Sequence, residues 1–217
     1  YVAREMAKEI LPFERQAITY ISLDITQPFL KLQTQRAKEG GWGGIGTRAN
    51  AEGLPFKDNS VDLVIDNENM ADMTPVKLTR KELLDGKGET PQHQEALDWI
   101  RRVRLPVGNN LPDEVIFNLG PFRFVAELWR VLKPGGHAFL TEFGIEEGWP
   151  APVKLPGHTE YEVQYSHLRQ AVRWLGFQER YLALPQFLTI KPDTKVLCTG
   201  AAYTIQRFCQ AMNKPFT

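Results

Sequence analysis

Several residues in this 217-residue chain are of types that can do chemistry, and most stand where a short apolar run stops. Asp24 closes the β-branched and aromatic run at residues 17–23. A carboxylate there offers two coplanar oxygens, enough to accept both hydroxyls of a ribose. A helix-start acid ahead of Pro28 is the competing reading. Asp66-Asn67-Glu68-Asn69 follows Leu63-Val64-Ile65 directly, so four polar residues sit at one strand end. Asn50 opens the stretch Asn50-Ala51-Glu52-Gly53-Leu54-Pro55-Phe56, where its amide can meet an adenine edge while Leu54 and Phe56 anchor the loop and Pro55 stiffens it. Taken alone, that stretch is a turn before a strand.

Of the four histidines, His158 is the catalytic candidate. It lies in the loop after Glu142-Phe143-Gly144, from which it can reach the strand ends, and an imidazole titrates where a general base is useful. His137 opens a strand at the opposite end, His93 is early in a helix, and His167 stands among apolar residues. His158 and Glu160 amount to half of a metal site. Two such residues in one loop rarely make a whole one, so no metal is expected.

Positioning these groups requires strands that end together. Apolar positions three and four apart predict helices over 1–10, 29–38, 121–132 and 165–175, with Gly176 ending the last one. Strands are expected at 17–23, 47–50, 61–65, 138–143, 180–184 and 195–204, and a loop at 40–46. Residues 73–118 interrupt the alternation with two helices. The first is capped by Thr79 and Glu82 and stopped by Gly86, and the second opens at Thr90-Pro91. Strand and helix otherwise alternate, which predicts a doubly wound, mostly parallel α/β sheet as a single domain over 1–217. In such sheets ligands bind beyond the carboxyl ends of the strands. The inserted segment would then fold over that opening as a lid; a structural brace built on Trp99 and Ile100 is the other reading.

Composition removes several classes. Lys plus Arg and Asp plus Glu are each 26, which lacks the basic excess of a phosphate-neutralising nucleic-acid binder. No apolar run is long enough to span a bilayer, and no signal peptide opens the chain. Two cysteines, Cys198 and Cys209, argue against a disulfide scaffold and for a cytoplasmic setting. The chain begins at Tyr1 inside a helical pattern, as a piece of a longer polypeptide would.

The ordered set Asp24, Asn50 to Phe56, Asp62-Leu63-Val64 and Arg130-Val-Leu-Lys-Pro-Gly-Gly136 resembles the class I S-adenosylmethionine-dependent methyltransferases, in their small-molecule branch. The resemblance implies a Rossmann-like fold, S-adenosylmethionine as cofactor and a small organic molecule as partner. It also implies that Asp24 holds the ribose, Ile25 packs on the adenine, Asn50 and Ala51 line its edge, and Asp66 and Asn67 lie beside the methionine moiety. Asn50 departs from the acid usual there. The family's glycine-rich loop would precede Tyr1, and Gly40 to Gly46 does not replace it, since it follows a helix rather than a strand. Two further readings are a nicotinamide-dependent reductase, which lacks its own glycine fingerprint here, and a methyltransferase-fold domain that only binds or scaffolds.

Overall fold

The structure, a computed structural model, describes residues 17–108 and 111–183. The helix expected over 1–10, the strand over 195–204 and both cysteines lie outside the described residues.

A first βαβ unit opens the described chain. Strand β1 (Ile21–Asp24) leads into helix α1 (Gln27–Glu39), and strand β2 (Ile45–Arg48) returns parallel to β1, pairing Ile21 with Ile45 and Asp24 with Arg48. Pro28 sits in the first turn of α1, where its missing N–H costs nothing. The strand starts later than expected, and β2 takes Ile45 and Gly46 from the expected loop. A side chain at Gly46 would run into Thr34 and Leu30 of α1, so the close packing of β2 on that helix needs a glycine there.

The second parallel pair carries most of the candidate site. Strand β3 (Val61–Asn67) lies beside β6 (Leu132–Thr141), in register from Leu63 opposite His137 to Asn67 opposite Thr141. Val61 pairs instead with Leu132, so Lys133 to Gly136 bulge out between the two registers. The turn expected at 134–136 is therefore inside β6, with Gly135 in the left-handed region at φ 80°. Strands β1–β2 and β3–β6 show the parallel α/β arrangement expected, as separate pairs among the described residues.

Between β3 and β6 the chain forms a 3-10 turn (Met70–Asp72), strand β4 (Val76–Thr79), helix α2 (Arg80–Asp85), helix α3 (Pro91–Arg102), strand β5 (Glu114–Phe117) and helix α4 (Leu119–Val131). The segment 73–118 is thus not helical throughout: β4 and β5 pair antiparallel, Val76 opposite Phe117. The capping box forms as expected. Glu82 N–H donates to the Thr79 hydroxyl at 3.2 Å, Thr79 N–H to Glu82 Oε2 at 2.9 Å, and Gly86 closes the helix at φ 65°.

After β6 come β7 (Gly144–Ile145), the hairpin β8 (Pro152–Leu155) and β9 (His158–Tyr161), β10 (Val163–Gln164) parallel to β7, and helix α5 (Tyr165–Leu175). Residues 180–183, expected as a strand, form none.

The core lies in the middle of the chain. Among the described residues the core has 24 buried members, and 12 come from residues 73–118, among them Leu78, Leu97, Trp99, Ile100, Val115 and Phe117. They pack on Phe122, Val125 and Leu128 of α4 and Leu168 and Ala171 of α5. The Trp99 ring meets Phe122 edge-on at 5.6 Å, and Phe117 meets Phe122 at 4.7 Å.

Candidate functional site

The carboxyl ends of β3 and β6 bring a group of acids together. Asp66 is the next-to-last residue of β3, and Glu142 follows the last residue of β6. The carboxylate of Glu142 is held by two backbone donors, Ala71 N–H at 3.0 Å and Phe143 N–H at 2.9 Å. Burial pushes its pKa up to about 7 against the lowering effect of those donors, and the charges of Glu68 and Asp66 add to the rise. Asp66 Oδ1 accepts from the Asn69 amide at 2.9 Å, while its Oδ2 is buried with no hydrogen-bond partner. Burial raises Asp66 to about 6. Glu68 is raised too, by burial and then by the Glu160 charge, and it holds a left-handed backbone at φ 55°. That conformation is uncommon without glycine and concentrates at functional sites.

His158 opens β9 at the rim of this group, beside the 3-10 turn. Its Nε2 lies 3.0 Å from Glu160 and 3.6 Å from Asp72. Glu160 first, then Asp72, raise its pKa, with its ring also bonded to the Pro156 backbone. The sequence paired His158 with Glu160 only; Asp72 joins because the 3-10 turn packs against β9. These three ligand-type side chains cluster at the surface, where an ion-paired imidazolium accounts for them. The other histidines stay out of the site. His93 Nδ1 bonds Glu82 at 2.6 Å, and His167 is buried beside Trp149, its pKa lowered to about 4 by burial.

Asp24 is engaged by its own neighbours. Its Oδ1 accepts from Thr26 N–H at 2.7 Å and the Thr26 hydroxyl at 2.8 Å, and its Oδ2 from Gln33 at 3.2 Å. Ile25 is exposed, and its carbonyl accepts from Arg48 at 3.0 Å. Asn50 folds an Asx turn, its Oδ1 accepting from Glu52 N–H at 2.9 Å. Asn67 Oδ1 accepts from the Thr141 hydroxyl at 2.8 Å, across the β3–β6 pair. Asp66 therefore lies near enough to Glu142 for their charges to interact, Asn67 faces Thr141, and Asp24 and Ile25 stand on the first βαβ unit.

Two motifs recognised separately in the sequence are one clamp. Glu127 Oε2 accepts from Leu54 N–H at 2.8 Å, and Arg130 donates to the carbonyls of Leu54 at 2.8 Å and Phe56 at 2.6 Å. Arg130 also pairs with Asp58 at 2.9 Å and Glu127 at 2.6 Å. The Leu-Pro-Phe loop needs the α4 acid and base because its backbone groups have no ladder to join.

Residues 6–84 match the family model of the methyltransferase domain. This segment is similar to methyltransferase domains. It contains Asp24, Ile25, Asn50, Ala51, Asp66 and Asn67, whereas Glu142 and His158 lie beyond it. No curated protein matches the chain. Among solved structures, the PH0226 protein from Pyrococcus horikoshii OT3 is similar at 12% identity and a TM-score of 0.43 over 74% of this chain. The chain spans 63% of that protein's length. Beyond the methyltransferase-domain segment, sequence reasoning missed Glu142, although it follows the same pattern as Asp66, a polar residue straight after an apolar strand.

Proposed function

We propose that the chain takes part in S-adenosylmethionine-dependent methyl transfer to a small organic molecule in the cytoplasm. The observation that carries this reading is the buried, unpartnered Oδ2 of Asp66 among acids that no Lys or Arg ion pair reaches among the described residues. An orphaned buried carboxylate oxygen is costly alone and fits a cationic ligand. When bound, the cofactor supplies an activated methyl group on a positively charged sulfur. Asp66 and Asn67 would hold its methionine end, Asn50 and Ala51 the adenine edge, Ile25 the adenine face and Asp24 the ribose.

Burial sets the protonation of the strand-end acids. Asp66 and Glu142, raised to about 6 and about 7, straddle the range where a carboxyl can take a proton from an acceptor near neutral pH. Glu142 is the better proton acceptor, since two backbone donors fix its orientation. His158 is the proposed catalytic histidine, and its carboxylate partners favour the charged form. That suits it to hold an acceptor's negative charge more than to take a proton.

Calorimetric titration with S-adenosylmethionine and S-adenosylhomocysteine tests the reading. Both should bind, and Asp66→Asn should weaken the charged ligand more than the neutral thioether. No heat with either at millimolar concentration would overturn it. A binding or scaffold domain is the second reading, favoured by Asp24, whose two oxygens are already taken by Thr26 and Gln33. Binding without methyl transfer to any member of a metabolite panel would support it.

A further inference from the structure

The loop that begins at Asn50 is tied to the distant helix α3 through a single guanidinium. Arg123, on α4, donates through Nε and Nη2 to both oxygens of Glu95 on α3, at 2.9 and 2.6 Å. Its Nη1 donates to Glu52 Oε2 at 3.0 Å. The other oxygen of Glu52 accepts from Thr74 N–H at 2.9 Å and the Thr74 hydroxyl at 2.7 Å. Glu52 N–H in turn donates to the Asn50 side chain, and Gly53 N–H to the Asn50 carbonyl. A continuous polar chain therefore runs from Glu95 through Arg123 and Glu52 to Asn50.

The side chain of Glu52 is only 9% exposed. Burial alone would push its pKa up; the Thr74 hydrogen bonds and then Arg123 outweigh that and hold it low. Without the guanidinium, a nearly buried carboxylate would face Thr74 with no countercharge, and the cheapest relief is for the loop to swing outward. The approach is built into α4 as well. A Cβ on Gly120 would stand 2.8 Å from Glu52 Oε1 and 2.4 Å from the Met73 Cβ. Gly120 N–H also donates to the Thr74 carbonyl at 2.8 Å.

We propose that Arg123 is a positioning residue that fixes the loop at residues 50–54 from helix α3, so that the middle of the chain sets how firmly the adenosine end of a ligand is held. The ligand part rests on the functional reading above; the loop part does not. A planar fork with three engaged nitrogens is needed, and a lysine cannot reproduce it.

The test uses four variants, read by backbone amide exchange and by binding of adenosine and S-adenosylhomocysteine. In Arg123→Met the amides of Glu52, Gly53, Leu54 and Thr74 should exchange at least ten-fold faster, while those of Leu168 and Ala171 on α5 stay unchanged. Both ligands should weaken by the same factor, three- to ten-fold, because both share the adenosine end. Arg123→Lys should fall between wild type and Arg123→Met in loop exchange, and Glu95→Gln should speed it two- to three-fold with the fold intact. The charge swap Glu95→Arg with Arg123→Glu separates positioning from bracing. It restores the pair between α3 and α4 yet sets a carboxylate against Glu52, so α3 should regain its protection and the loop should not. Loop exchange that is unchanged in Arg123→Met and Glu95→Gln, or that the swap restores, overturns the proposal. If Arg123→Met does not fold, Glu95→Gln and the swap decide alone. If wild type binds neither ligand, the functional reading fails, and the exchange pattern still decides the positioning.

Discussion

Among the described residues, the half of the molecule from β1 to β3 is its open half, and the half from Met70 onward is its core. Along β1, α1, β2 and β3, Ile21, Ile25, Phe29, Leu32, Ile45, Leu63 and Ile65 are all exposed. From Met70 to Ala171 the chain buries three phenylalanines almost completely, at Phe117, Phe122 and Phe124. Parallel strands normally need cover on both faces; among the described residues this half is held by its strand ladders and side-chain clamps more than by burial. The difference shows where burial comes from: among the described residues the core lies from Met70 onward, with the segment between β3 and β6 contributing much of it, while the acids of the candidate site stand at strand ends.

The largest break in that comparison is to remove the middle. Replacing residues 77–112 by a short Gly-Ser linker takes away Leu78, Leu97, Trp99 and Ile100 together. Each such loss costs roughly 2–5 kcal/mol, and a whole domain has only about 5–15. The variant should show no cooperative thermal transition by circular dichroism. A folded deletion variant would favour a lid over the strand ends.

Single side chains sharpen the same contrast. Phe117→Ala should cost about 3–5 kcal/mol in denaturant unfolding, because Phe117 is 1% exposed and packed against the tilted ring of Phe122. Ile65→Ala, on the site-bearing strand, should cost less than about 1 kcal/mol, since Ile65 is 39% exposed. Equal losses would mean that β3 is covered as fully as the core.

What is legible in the sequence is local, namely which residues stand at a strand end. Asp66 and Asn67 follow an apolar run, and they are the last two residues of β3. The capping box at Thr79 and Glu82 needs only four residues and formed as read. The core was harder. Val76 and Leu78 alternate with Lys77, but a four-residue run gives a weak period, and its partner Glu114–Phe117 is 35 residues away. Nothing in either stretch names the other, so residues 73–118 were read as an interruption. The clamp from Glu127 and Arg130 to the Leu54 loop was invisible for the same reason. Spacing reports neighbours along one element, whereas these contacts join residues more than 70 apart.

The two halves should also answer pH with opposite signs. Glu82, in the core half, is held down to about 2: burial opposes ionisation, but hydrogen bonds from Thr79, Glu89 and His93 outweigh it. A depressed acid gives stability that is present above about pH 4.5 and is lost as pH falls toward 2. Asp66 and Glu142 are raised, so their contribution is present below about pH 4 and is lost as pH climbs through 6 and 7. Asp66→Asn should therefore stabilise the fold by about 1–2 kcal/mol at pH 8 and change little at pH 4. Glu82→Gln should destabilise by about 0.5–2 kcal/mol at pH 7, with the deficit shrinking toward pH 2. Unfolding curves at pH 4 and pH 8 check both. A uniform response across the two variants would mean that Asp66 is not desolvated.

The smallest effect concerns what ties the open half at its far end. Lys133 Nζ lies 2.8 Å from both oxygens of Asp62, across the bulge where β6 changes register against β3. The contact looks like a staple for the exposed ribbon. However, the lysine is 45% and the aspartate 79% exposed, and water solvates both charges nearly as well when they are apart. Such pairs are worth about 0–1 kcal/mol and weaken with salt. The start of β3 has a better anchor in its backbone: Asn59 N–H donates to the Arg130 carbonyl at 3.0 Å and Ser60 N–H to the Val131 carbonyl at 2.8 Å, both on helix α4. Lys133→Ala should thus cost less than about 0.5 kcal/mol, and even that should vanish in 0.5 M salt. Arg130→Ala, which leaves the Leu54 and Phe56 carbonyls without their donor, should cost roughly 1–3 kcal/mol at either salt concentration. If the order were reversed, the open half would be held by its own surface charges and not by the core behind it.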